Sequence, residues 1–114
     1  MKGTYLGEFE EIVLLTIALL GSQAYGVAIR KEIEEQASRK VSIGGVHTAC
    51  NRLEDKGFLK SRFGEASPTR GGKRKKIYRV TQAGQTALVA ARELRENLWN
   101  QLPPTAFDLK LGLL

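Results

Sequence analysis

Apolar residues recur at helical spacing along most of the chain, and the period changes once. From Glu8 to Leu20 they occupy all sides of a predicted helix, which fits burial by neighbours on several sides. Gly21 and Ser22 end it. Between Ala24 and Ala37 the positions Gly26, Ile29, Ile33 and Ala37 form one stripe, with Arg30, Lys31, Glu32, Glu34 and Glu35 turned to water. That pattern predicts a second, amphipathic helix. A connector, Ser38 to Val41, leads to Ser42, whose hydroxyl suits an N-cap. Over Gly44–Lys56, Val46, Ala49, Cys50 and Leu53 make a narrow inward face, and Gly57 closes the helix.

After Gly57 the period falls to about two residues. Phe58–Phe63 and Lys75–Val80 are β-branched or aromatic runs interleaved with basic residues, and Gly64, Pro68, Gly71 and Gly72 mark a long loop between them. Thr81 caps a last helix from Gln82 to about Leu102, with Leu88, Ala91, Leu94 or Arg95, Leu98 and Leu102 at heptad-like spacing. Pro103 and Pro104 stop it. The order predicts a mainly α fold with a small β-hairpin: a winged helix-turn-helix over 1–81, a C-terminal helix over 82–102 and a tail over 103–114. That last helix is too long for the small core to absorb.

Composition narrows the function. The chain has 114 residues, 42% of them apolar and 26% charged, with a formal net charge of +6. The longest apolar run is shorter than the ~20 residues a membrane span needs, and acidic residues precede it where a signal peptide is basic. A cytoplasmic protein is expected. One Cys and one His exclude an intrachain disulfide and a clustered metal site. No catalytic constellation is visible, and neither an enzyme nor a cofactor is expected. The positive charge is local. Residues 1–38 carry −3, residues 39–59 carry +2, residues 60–79 carry +7 and residues 80–114 carry none.

A +7 segment on a hairpin is the footprint that a phosphate backbone calls for. The third predicted helix leaves His47, Thr48, Asn51, Arg52 and Asp55 outward, a hydrogen-bonding face of the kind that reads the major groove. The DNA-contact candidates are therefore Ser42, His47, Thr48, Asn51 and Arg52 on this helix and Arg70, Lys73, Arg74, Lys75 and Lys76 on the wing. Arg52 has an alternative, a salt bridge within the fold. Cys50 reads as a small buried hydrophobe. Leu94, Leu98, Trp99 and Leu102 are candidates for a dimer or effector surface; Trp99 is either a contact between protomers or a stacking surface for a planar ligand. The tail, with Phe107, Leu109, Leu111, Leu113 and Leu114, either packs on a partner subunit or frays.

Three segments carry a family resemblance: YGVAI at Tyr25–Ile29, SIGG…NRLEDKGFL from Ser42 to Leu59, and KIYRVTQAG from Lys76 to Gly84. Over roughly residues 5–90 the chain resembles the PadR family of bacterial transcriptional regulators, in its short branch. The resemblance implies a homodimeric repressor on double-stranded DNA with a pseudo-palindromic operator. It places the third helix in the major groove, the wing near the minor groove and the dimer contact on the C-terminal helix. Small aromatic or phenolic effectors release some relatives from DNA. His47 stands where the family usually has Tyr, and Cys50 where it usually has Leu. The rival expectation is a protein-interaction module that keeps the winged-helix shape without reading an operator.

Overall fold

The computed structural model describes residues 5–66 and 74–107. Four helices and one antiparallel hairpin follow in order: α1 Glu8–Leu20, α2 Gly26–Ala37, α3 Ile43–Asp55, β1 Leu59–Ala66, β2 Arg74–Val80 and α4 Gln82–Asn100. This is a winged helix-turn-helix, mainly helical, followed by a long helix.

Local chemistry fixes three of the four helix starts. Glu8, Glu10 and Glu11 occupy the first turn of α1, where the helix dipole favours negative charge. Ser42 Oγ accepts the Gly45 N–H at 2.9 Å to cap α3. Thr81 does two things at once. Its Oγ1 accepts the Gly84 N–H at 3.0 Å, and its hydroxyl donates to the Gly57 carbonyl at 2.7 Å. Between α2 and α3 the chain reverses through Ser38, in the left-handed region at φ 53°. The Glu34 carboxylate then accepts the Val41 N–H at 3.0 Å, which fixes the approach of α3 to α2.

The core lies where α1, α2 and α3 meet the base of the hairpin. Leu14, Ile17, Ile29, Ile33 and Leu53 are fully buried. Each contributes about 1.5–3 kcal/mol by leaving water. The first two turns of α4 close this core, with Ala87 and Leu88 packed against it.

Four boundaries or environments differ from the pattern reading. First, α2 starts at Gly26 and not Ala24, because Ala24 and Tyr25 are bonded to the hairpin, with Tyr25 extended. The Ala24 carbonyl accepts the Tyr78 N–H at 2.9 Å, and Tyr25 bridges Ile77. Second, β1 continues past Phe63 to Ala66. Pairing is regular from Leu59↔Val80 to Phe63↔Lys76, then irregular before Ala66↔Arg74, so Gly64 sits inside a bulged strand and does not begin the loop. Third, α4 ends at Asn100, because Pro103 disfavours a helical Leu102. Fourth, α1 is not buried on all sides within one chain: Leu15 and Leu19 are 50% and 65% exposed.

Two features predict stability effects. A Cβ on Gly84 would lie 2.4 Å from the Phe58 carbonyl oxygen, so backbone must move to admit it. Gly84→Ala is expected to cost about 1–3 kcal/mol, read from the denaturant midpoint; an unchanged midpoint contradicts this packing. Lys56 Nζ meets Glu10 Oε1 at 2.7 Å where both side chains are largely buried. Burial raises the Glu10 pKa, but the hydrogen bonds from Lys56 and the Gly7 N–H and the charges of Lys56 and Arg52 outweigh it, leaving the pKa lowered. The pair's stabilisation is present above the ordinary carboxylate pKa and is lost as pH falls through the lowered value. Wild type should therefore lose more stability than Glu10→Gln between pH 6 and strong acid, measured as midpoint against pH.

Candidate nucleic-acid interface

The outward side of α3 carries His47, Thr48, Asn51, Arg52 and Asp55, all exposed. They do not form a single row. His47 and Asn51 open into a cleft of about 400 Å³, walled by Tyr25, Gly26 and Val27 at the start of α2 and by Arg74, Lys75 and Lys76 on β2. Thr48 and Arg52 border a second hollow, with Tyr5 and Phe9 at the N-terminal end of α1 and Lys56 at the end of α3. His47 lies so close over the start of α2 that a Cβ on Gly26 would sit 2.8 Å from its Nε2. Arg52 forms no ion pair with a described residue; the nearby Glu10 is engaged by Lys56. Ser42 is exposed at the head of the helix, with its oxygen accepting the capping bond.

The hairpin borders this face, and its cations are held in different ways. Lys75 Nζ stands 3.9 Å above the Tyr25 ring, a close cation–π contact. Arg74 Nε donates to the Gly64 carbonyl at 2.9 Å, across the bulge. Lys76 Nζ lies 3.6 Å from Glu54 of α3. That carboxylate also accepts the Ser61 hydroxyl at 2.7 Å, so Lys76 is shared between solvent and the fold. Arg70 and Lys73 lie outside the described residues. Pattern reasoning did not single out Tyr25, although its aromatic type beside a glycine was the available signal. It also passed over Lys60 and Arg79, exposed and directly opposite each other in the register.

Away from this face, α4 projects from the body, and residues 92–100 are all exposed. Leu94, Leu98, Trp99 and Leu102 are 59%, 58%, 68% and 41% exposed. The Trp99 ring lies 6.2 Å from that of Phe107 at the start of the tail. On α1, Glu11 reaches Arg95 of α4 at 3.0 Å. Leu15 and Leu19 of α1 are exposed as well. Leu109, Leu111, Leu113 and Leu114 lie outside the described residues.

Beneath the reading face, Cys50 of α3 and Tyr78 of β2 are both buried in the core. Burial pushes the Cys50 thiol up to about 12, and the Glu54 charge adds to it. Tyr78 is likewise raised to about 12 by burial, then by Cys50 and Glu54. A thiol so placed has almost no thiolate at neutral pH, and the thiolate is the nucleophile. The native protein should react very slowly with a thiol reagent at pH 8 and rapidly once unfolded in denaturant. Fast labelling of the folded protein would contradict the burial of Cys50.

Comparison with known proteins agrees with this geometry. The model of the transcriptional regulator PadR-like family matches residues 14–90. Among solved structures, the complex hsRosR-S1 is similar at 27% identity, with a TM-score of 0.64, covering 84% of this chain and 78% of that one. A PadR family transcription regulator from Clostridium difficile R20291 is 29% identical, with a TM-score of 0.58, covering 79% and 95%. A PadR family regulator from Eggerthella lenta DSM 2243 is 25% identical, with a TM-score of 0.63, covering 82% and 80%. A search of curated proteins gives no match. With more than half its length matched and the winged fold in place, the chain belongs to the PadR-like family of transcriptional regulators.

Proposed function

We propose that the protein is a homodimeric, cytoplasmic repressor that binds a pseudo-palindromic DNA operator. In this reading residues 1–81 bind DNA, 82–102 join the protomers and 103–114 form a tail. The observation that carries it is that the exposed His47 and Asn51 of α3 open into a cleft bordered by Arg74, Lys75 and Lys76. The α3 helix enters the major groove, where the Asn51 amide can pair with adenine and Arg52 with guanine or phosphate. Ser42, His47 and Thr48 complete that contact. Arg70, Lys73, Arg74, Lys75 and Lys76 meet phosphates on the flank.

A dimer is supported by the apolar side of α4. Leu94, Leu98, Trp99 and Leu102 stand exposed along the end of one helix, and large apolar side chains exposed together mark interaction sites. A planar aromatic effector would stack at Trp99, close to the symmetry axis. The sign of regulation follows the family resemblance.

Gel-shift titration against the DNA upstream of the protein's own gene, over a range of salt, tests the reading. With about five wing cations per protomer on phosphates, the log–log slope of affinity against salt should be near −9 by the −0.9Z rule. A slope near −2 contradicts the wing-on-DNA arrangement. Asn51→Ala should cost about 1–3 kcal/mol and relax discrimination at one base. In sedimentation, Leu94→Glu with Leu98→Glu should give monomers; a persisting dimer removes α4 from the interface. Point variants serve better than truncation here, because Gly84, Ala87 and Leu88 belong to the core.

A further inference from the structure

Glycine is a poor helix former, so one inside a helix invites the question of what excludes a side chain there. Every other described glycine has an internal answer. Gly21 and Gly57 have positive φ, Gly7 is the N-cap of α1, and Gly26, Gly45, Gly64 and Gly84 each have an atom 3.0 Å or less from the position a Cβ would take, closer than ordinary contact. Gly44 has none of these: it lies inside α3 without a positive φ, and a Cβ would meet nothing within 4 Å. The fold of this chain gives no reason for its lack of a side chain.

Its position on α3 does. Gly44 and Asn51 are seven residues apart, so at 3.6 residues per turn they lie within about 20° of one line along the helix. Thr48 falls within about 40° of the same line and His47 within about 60°. Opposite lie the buried Val46, Ala49, Cys50 and Leu53. The outward line thus starts in bare backbone for one turn and continues in hydrogen-bonding side chains.

We propose that Gly44 is the point of closest approach between α3 and the DNA duplex, and sets how deeply the helix seats in the major groove. The inference rests on the DNA-binding reading above. A helix with its side chains is about 10–12 Å across and the groove about 12 Å wide. Removing one side chain at the leading turn lets the helix enter further, and that depth carries Asn51 and His47 to the base edges. A methyl group at position 44 holds the helix off the groove floor. The phosphate contacts of the wing lie away from the groove floor and do not depend on that depth. Gly44 is in this sense a positioning residue for sequence reading, separate from the groups that do the reading.

The test compares wild type with Gly44→Ala and Gly44→Val on two duplexes, one recovered by wild-type selection from random DNA and one unrelated. Gly44→Ala should fold at least as stably as wild type, because Ala is the better helix former and meets open space. Its affinity for the selected duplex should fall about tenfold or more, with affinity for the unrelated duplex unchanged, and Gly44→Val should lose more. A purely structural defect would lower both affinities and the melting temperature together, and that result overturns the inference. So does a Gly44→Ala protein that binds the selected duplex as tightly as wild type, which leaves the DNA-binding reading intact. If wild type selects no sequence, that reading fails, and the inference with it.

Discussion

A two-stranded hairpin cannot hold its own orientation in water, so the usefulness of this one depends on where it is tied. The tie is Tyr78. Its side chain is buried in the core with Cys50 of α3, while its backbone N–H donates to the Ala24 carbonyl just before α2. One residue thereby fixes the hairpin against the other two parts of the candidate interface. Glu54 adds a second tether from α3, to Ser61 and Lys76. The cleft between α3, the start of α2 and β2 exists because these contacts set its three walls.

That arrangement gives the positive charge a direction. Most of it sits on the segment that Tyr78 anchors, and four of the six acidic residues of α1 and α2 are paired with other cations. Glu8 pairs with Arg39, Glu10 with Lys56, Glu11 with Arg95 and Glu34 with Arg30. Arg74 and Lys75 are braced by Gly64 and Tyr25 and still border the cleft. Cations held near their working positions lose less side-chain freedom on binding, which favours affinity without new contacts.

Helices were legible in the chain because their apolar periods and caps are local: Ser42 and Thr81 are N-caps in the structure, and Val46, Ala49, Cys50 and Leu53 form the buried side of α3. The C-terminal limit of α4 and the start of α2 were missed by two residues each. The first is a steric effect of Pro103; the second is a tertiary effect, since Ala24 and Tyr25 pair with β2 from more than fifty residues away in sequence. Periodicity cannot report such a contact. The same limit hid the division of the α3 face into two hollows and the cation–π contact at Tyr25, which depend on what α1, α2 and β2 bring alongside. Burial of α1 on several sides is a property that one chain alone does not have, because Leu15 and Leu19 remain uncovered in it.

The central claim is that α3, the first turn of α2 and the hairpin form one DNA-binding face. Backbone amide resonances, followed as a selected duplex is added, test it most directly. The account predicts that the largest shifts fall on Gly44–Arg52, on Tyr25–Val27 and on Arg74–Lys76, with residues 92–100 little changed. Shifts confined to residues 92–100, with α3 unperturbed, would contradict it.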